Sequence, residues 1–138
     1  TVDASARQTL EAMIDYWHSR LDRHQRFGRL VLEFWAAAAR TPSQAGSPDL
    51  LGHWYGQMRK RLTSVITRGV RTGQFRANLN IDAAASLILA IVEGIMVQRI
   101  LYFDLNVDHE FIAALKRGIL AGLTTEPPAE APADRSQP

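Results

Sequence analysis

The stretch SLILAIVEGIMVQRILYF, residues 86–103, decides the fold class of this 138-residue chain. It predicts a helix that is apolar on every face, apart from the adjacent Glu93 and Gly94 at its centre. A helix that is apolar all round is buried on all sides. A membrane span needs about 20 residues with few charges, whereas Glu93 and Arg99 interrupt this one. We therefore interpret it as a core helix and expect no contact with a membrane.

Helical periodicity continues through the rest of the chain, and no strand pattern appears. Apolar residues recur at the i, i+3, i+4 and i+7 spacing of an amphipathic helix, as between Leu10 and Trp17. The sequence predicts an all-α domain over residues 1–123, with five helices at about 4–22, 27–40, 48–72, 81–104 and 109–123. Asn80 and Asp108 are the predicted N-caps of the last two helices, and Gly73 is predicted to end the third.

The end of the chain has a different composition. Residues 124–138, TTEPPAEAPADRSQP, hold four of the six prolines and no apolar cluster to bury. Such a segment cannot offset its loss of conformational entropy by packing. We expect a disordered, proline-rich tail.

Composition and motifs exclude several classes of function. The chain has no cysteine, which fits a reducing, cytoplasmic setting. Its sixteen Lys and Arg residues are scattered, and the cluster RKR at 59–61 is typical of a solvated helix face rather than a nucleic-acid contact. No metal-binding His pair, phosphate-binding loop, nucleophile motif or pair of acids occurs. We predict no enzyme activity, no metal and no cofactor.

Rows of small residues on the fourth and fifth helices predict a dimer. A bundle of this size has too few neighbours to surround the fourth helix, and small residues let helix backbones approach closely. We expect these two helices to form a four-helix bundle with those of a second copy. Alternatively, the rows pack the two helices together within one chain. The rows are Ser86, Ala90 and Gly94 on the fourth helix and Ala114, Gly118 and Gly122 on the fifth.

Large, adaptable side chains on the inward faces of the helices raise the possibility of a ligand pocket. Each of these residues, taken singly, is well explained as core filling. Together, aromatic and Met side chains with few polar groups are typical of a pocket for an apolar or amphipathic small molecule.

Glu93 has no partner on its own helix, because Leu89 and Val97 occupy the positions four residues away on either side. A buried carboxylate without a partner is costly. It must therefore pair with an Arg, a His or an N–H group on another element, or meet a ligand. The sequence leaves both possibilities open.

Two stretches carry a family resemblance. RGVRTGQFRANLNIDAAASLILAIVEGIMVQRILYF, residues 68–103, resembles the C-terminal half of TetR-type transcriptional regulators, in which a Gly-ended helix precedes a G-x-F-R-x-x-L loop. GRLVLEFWAAAARTP, residues 28–42, is similar to the AcrR/BetI-like branch of that family. The resemblance covers residues from about 4 to 123.

This resemblance implies a homodimeric regulator that responds to a small-molecule effector. The family's N-terminal helix-turn-helix domain is absent from this chain, so DNA binding is expected only through that missing part. We predict effector contacts for six residues: Trp17, Phe34, Trp54, Met58, Glu93 and Met96. The alternative function is a helical homodimerisation module with a filled core and no ligand.

Overall fold

The computed structural model describes residues 4–23, 25–40, 50–101 and 104–124. These residues form five helices and no strand: α1 (Ala6–Arg23), α2 (Gln25–Arg40), α3 (Leu50–Arg71), α4 (Ile81–Leu101) and α5 (His109–Thr124). The predicted all-α class is confirmed, with boundaries that agree to within about three residues. Helix α5 includes Thr124, the first residue of the predicted tail, and residues 125–138 lie outside the described part of the chain.

Capping side chains fix the start of three helices. The Asn80 Oδ1 atom accepts a hydrogen bond of 2.9 Å from the Ala83 N–H, and Asp108 Oδ1 accepts one of 2.9 Å from Phe111. Both predicted N-caps are confirmed. At α1 the Gln8 N–H donates to the Ser5 hydroxyl, while the Ser5 N–H donates to Gln8 Oε1. This reciprocal pair is a capping box, which satisfies two otherwise free N–H groups.

Helix α3 ends in a glycine turn, as predicted. Gly73 has a φ of +71°, a left-handed conformation that costs glycine little. The Gly73 N–H donates to the carbonyl of Val70, and the Gln74 N–H donates to the carbonyl of Gly69. These two bonds define a Schellman motif, which turns the chain from α3 towards α4.

Helix α1 lies at the centre of the bundle and contacts each of the other four helices. It runs antiparallel to α3, because the Arg68 guanidinium near the end of α3 donates to the Thr9 hydroxyl near the start of α1. The most deeply buried side chains come from α1, α3 and α4. They are Leu10, Ile14, Leu62, Ile66 and Ile88.

The bundle has two different ends. At the closed end, the Phe75 side chain is 3% exposed, and the Arg76 N–H donates to the Leu123 carbonyl at the end of α5. At the other end, which we call the cavity end, residues 15–20 of α1 and 52–61 of α3 carry side chains that are half-buried or exposed. Dense packing at the closed end therefore holds the helices that frame the cavity.

Helix α4 is covered on one side only. Its most apolar window is 28% buried, and Leu87 and Leu101 are 63% and 59% exposed. Within one chain this helix is therefore not buried on all sides, as expected for a bundle with too few helices to surround it. By length and composition alone α4 could cross a membrane, but the core helix of a soluble protein meets the same criterion.

Gly69 permits the close packing of the turn after α3. A Cβ atom at this position would lie 2.1 Å from Phe75 Cδ2, and the Phe75 ring is buried. We expect Gly69→Ala to lower the free energy of unfolding by about 1–3 kcal/mol through overpacking. Urea titration followed by circular dichroism measures the change.

Gly56→Ala is the matched control on the same helix, since a Cβ atom there meets nothing within 4 Å. It should raise stability by up to about 1 kcal/mol, because alanine loses less conformational entropy in a helix. A loss of stability in the control equal to that of Gly69→Ala would contradict the role assigned to Phe75.

Candidate functional site

A cavity of about 180 Å³ lies at the cavity end, between α1, α2, α3 and α4. Its lining is mostly aromatic and apolar, and it includes all three tryptophans of the chain. Side chains one or two helical turns apart converge on it from each helix. The lining residues are Tyr16, Trp17, Arg20, Val31, Trp35, Trp54, Tyr55, Met58, Arg61, Leu89, Val92, Glu93 and Met96.

Five of the six predicted effector contacts lie in this lining: Trp17, Trp54, Met58, Glu93 and Met96. Phe34 does not, because its side chain points outward and is 52% exposed. Helix α2 buries Gly28 and Val31, and a residue three positions after Val31 lies about 60° away from it around the helix. Trp35 lies on the other side of Val31 around the helix. Its side chain lines the cavity, where that of Phe34 was expected.

Three aromatic rings from α2 and α3 pack together in the wall. The centroids of Trp54 and Tyr55 lie 5.2 Å apart with their planes at 82°, an edge-to-face arrangement. The Trp35 and Tyr55 centroids lie 6.3 Å apart with their planes at 31°. Contacts of this kind contribute about 0.5–1.5 kcal/mol beyond the area they bury. The cluster places the Tyr55 phenol between α2 and α4.

Tyr55 is the described partner of Glu93. Burial raises the pKa of the Tyr55 phenol, the hydrogen bond and negative charge of Glu93 raise it further, and contact with Trp35 lowers it. A neutral phenol that donates to a carboxylate has this pattern, because losing its proton would place two negative charges side by side. The half-buried Glu93 thus meets a neutral donor on α3. The Glu93 Oε1 atom and the Trp35 Nε1 atom are buried, and neither has a hydrogen-bond partner among the described residues.

Two arginines also line the cavity, and both side chains are exposed. The Arg20 guanidinium carbon lies 5.8 Å from the centre of the Tyr16 ring, a cation–π distance. Neither Arg20 nor Arg61 forms an ion pair with a carboxylate in the described part of the chain. The cavity therefore has a carboxylate in its wall and two guanidinium groups at its solvent side.

Sequence reasoning did not single out Arg20, Arg61 or Tyr55 as site residues. Arg20 follows Trp17 by three positions, and Arg61 follows Met58 by three, so each lies beside a predicted contact on the same helix face. Tyr55 shares the apolar face of α3 with Met58. The requirement that Glu93 find a donor elsewhere was the signal that pointed to such a residue.

Of the small-residue rows predicted for the dimer, only Gly118 and Gly122 line the groove found between α4 and α5. Ala90, Ala114, Gly118 and Gly122 are exposed, and Gly94 is half-buried. A Cβ atom at any of the three glycines meets nothing within 4 Å, so they do not pack α4 against α5 within the chain. Ser86 differs from the others, because its hydroxyl accepts a hydrogen bond of 2.5 Å from Arg59 on α3.

Among the described residues, no group of three or more His, Asp or Glu side chains is placed to hold a metal ion. The polar groups of the cavity can form hydrogen bonds and ion pairs with a small molecule. An aromatic lining with a few polar groups is typical of small-molecule pockets.

The Tyr55–Glu93 pair predicts an alkaline dependence of stability. Because the folded-state pKa of Tyr55 is raised, its contribution is complete below about pH 10 and is lost as the pH rises through the folded-state pKa. We expect wild-type stability to fall relative to Tyr55→Phe by at most about 1.4 kcal/mol per pH unit above pH 10, and by less where solvent screens the half-buried phenol.

At neutral pH, Tyr55→Phe should cost about 1–3 kcal/mol, because Glu93 loses its donor. Thermal melts of both proteins between pH 7 and about pH 11 measure the difference. Tyr16→Phe, which removes an exposed hydroxyl, is the control. A wild-type advantage over Tyr55→Phe that stays constant to pH 11 would contradict the Tyr55–Glu93 assignment.

Comparison with known families identifies the chain. Residues 6–125 match the family model described as the C-terminal part of BetI-type transcriptional repressors, a domain of TetR-family regulators. Searches of curated proteins and of solved structures give no match. The matched span contains all five helices and both surfaces described above. The chain therefore belongs to the TetR family, as a BetI-type C-terminal domain.

Proposed function

We propose that this domain is the regulatory part of a cytoplasmic TetR-type repressor. It binds a small apolar or amphipathic effector, forms a homodimer and has no catalytic role. Specific DNA contacts are made by the N-terminal domain of the family rather than by the residues of this chain. The observation that carries the proposal is the aromatic cavity at the centre of four helices in a chain of this family.

The cavity supports an effector role through its size and its lining. Its volume of about 180 Å³ is similar to that of an apolar cavity of about 150 Å³ known to bind benzene. Aromatic and Met side chains give it an adaptable wall, with a few polar groups to orient a ligand. A ligand held by α1 to α4 would favour one arrangement of these helices over another.

The exposed face of α4 supports the dimer. Leu87, Ala90, Gly94, Gln98 and Leu101 recur at helical spacing and are exposed or half-buried within one chain. A large apolar surface of this kind is typical of a protein–protein interface. Two copies of α4 and α5 around a two-fold axis would cover it as a four-helix bundle.

The competing proposal is a homodimerisation module that binds no ligand. It shares the dimer surface with the preferred proposal, so the dimer does not distinguish the two. A response to a small molecule would distinguish the two proposals, and the presence of the cavity favours the regulatory domain.

Tryptophan emission provides a direct test of effector binding, because Trp17, Trp35 and Trp54 all line the cavity. We expect at least one compound in a panel of amphipathic small molecules to change the emission and raise the melting temperature. At a concentration of one hundred times its Kd, a ligand adds about 2.7 kcal/mol of stability. The absence of both responses in a folded dimer would favour the module without a ligand.

Val92→Phe should abolish the response, since Val92 lines the cavity and the added ring fills it. Thr67→Phe is the matched control: it adds the same ring to a side chain of similar size, at an exposed position of α3 outside the cavity lining. Equal loss of response in both variants would show that the site lies elsewhere.

The dimer surface is tested by Gly94→Leu and Gly118→Leu. Within one chain these positions have open space, so we expect the fold to persist while the larger side chains separate the subunits. Sedimentation velocity should show monomers or a dissociation constant raised at least about tenfold. Gly56→Leu makes the same change in open space on α3 and should leave the dimer intact. Unchanged dimers in both test variants would disprove this interface.

A further inference from the structure

We propose that the effector is an organic anion, whose apolar body lies in the aromatic cavity and whose carboxylate is bound by Arg20 and Arg61. This inference rests on the proposed effector role of the cavity and adds the chemical class of the ligand.

The two arginines supply the first step of the argument. Both line the cavity, both are exposed, and neither has a carboxylate partner among the described residues. They reach the cavity from two neighbouring helices, since Arg20 is on α1 and Arg61 is on α3. A guanidinium binds a carboxylate through paired N–H donors, so two of them at one opening form a site for an anionic head group.

The surface outside the opening supplies the second step. A groove of about 660 Å³ between α1 and α3 shares Tyr16, Trp17, Met58 and Arg61 with the cavity. Lys60, which is exposed, lies in this groove and adds a third positive charge. Basic side chains therefore lie on the surface next to the cavity, where they would attract and orient an anion.

Glu93 and the aromatic rings favour the opposite ligand, an organic cation, because aromatic faces attract positive charge. The geometry weighs against this alternative in two ways. The Glu93 carboxylate already accepts a hydrogen bond from Tyr55. A cation would also lie near two exposed guanidinium groups, whereas an anion is attracted by both.

Three probes with the same phenylbutyl body test the charge preference: phenylbutanoate, phenylbutanol and phenylbutyltrimethylammonium. Tryptophan emission of the full chain gives each Kd. We expect the carboxylate to bind at least about tenfold more tightly than the alcohol, as one charge-assisted hydrogen bond would provide. The advantage should shrink as salt is added, because both arginines are exposed.

Variants assign the preference to residues. Arg20→Gln combined with Arg61→Gln should remove the advantage of phenylbutanoate over phenylbutanol. Glu93→Gln should leave phenylbutanoate binding equal or tighter. Arg71→Gln is the control, since it removes one positive charge from an exposed position of α3 outside the cavity.

Tighter binding of phenylbutyltrimethylammonium, lost in Glu93→Gln, would overturn the proposal in favour of an organic cation. Equal binding of the three probes would overturn it too, and so would an effect of Arg71→Gln as large as that of the double variant. If none of the probes binds while other compounds of the effector panel do, the anion class is wrong and the effector role stands. If no compound binds, both the anion class and the effector role are wrong.

Discussion

Helix α4 has no polar face, and the need to cover its apolar surface organises the whole domain. Three helices of the same chain, α1, α2 and α3, cover one side of it. The opposite side remains largely exposed, and it contains the small residues Ala90 and Gly94. Consecutive residues of a helix lie about 100° apart, so Glu93 and Gly94 project in different directions. One faces the cavity, and the other faces open space.

The charges of the cavity are separated by depth. Glu93 meets a neutral phenol in the wall, while Arg20 and Arg61 are exposed at the solvent side. A neutral donor balances a carboxylate without the full desolvation cost of a second buried charge. The exposed arginines keep their hydration, so their positive charge would remain available to the proposed ligand.

The sequence could predict those features of the structure whose cause is local. Asn80, Asp108 and Gly73 act on backbone groups a few residues away, so their roles follow from the nearby sequence. Periodicity likewise placed Trp17, Met58 and Met96 on inward faces. Tertiary packing decides that Trp35 rather than Phe34 lines the cavity. Helix α2 approaches α4 so closely at Gly28 that a Cβ atom there would lie 2.6 Å from Ile100 Cδ1, and this contact sets which face of α2 turns inward. The pairing of Tyr55 with Glu93 also joins separate helices.

The difference between the two ends of the bundle has a consequence for its motions. Amide hydrogens open most rarely where backbone hydrogen bonds are covered by buried apolar side chains. Those around Leu10, Leu62 and Ile66 at the closed end are so covered, whereas those near Arg20 and Trp54 have few buried neighbours. Exchange protection should therefore decline along α1 from Leu10 and Ile14 towards Arg20. Local fluctuation can open the cavity end while the closed end stays folded, so the ligand proposed here would not need global unfolding to enter.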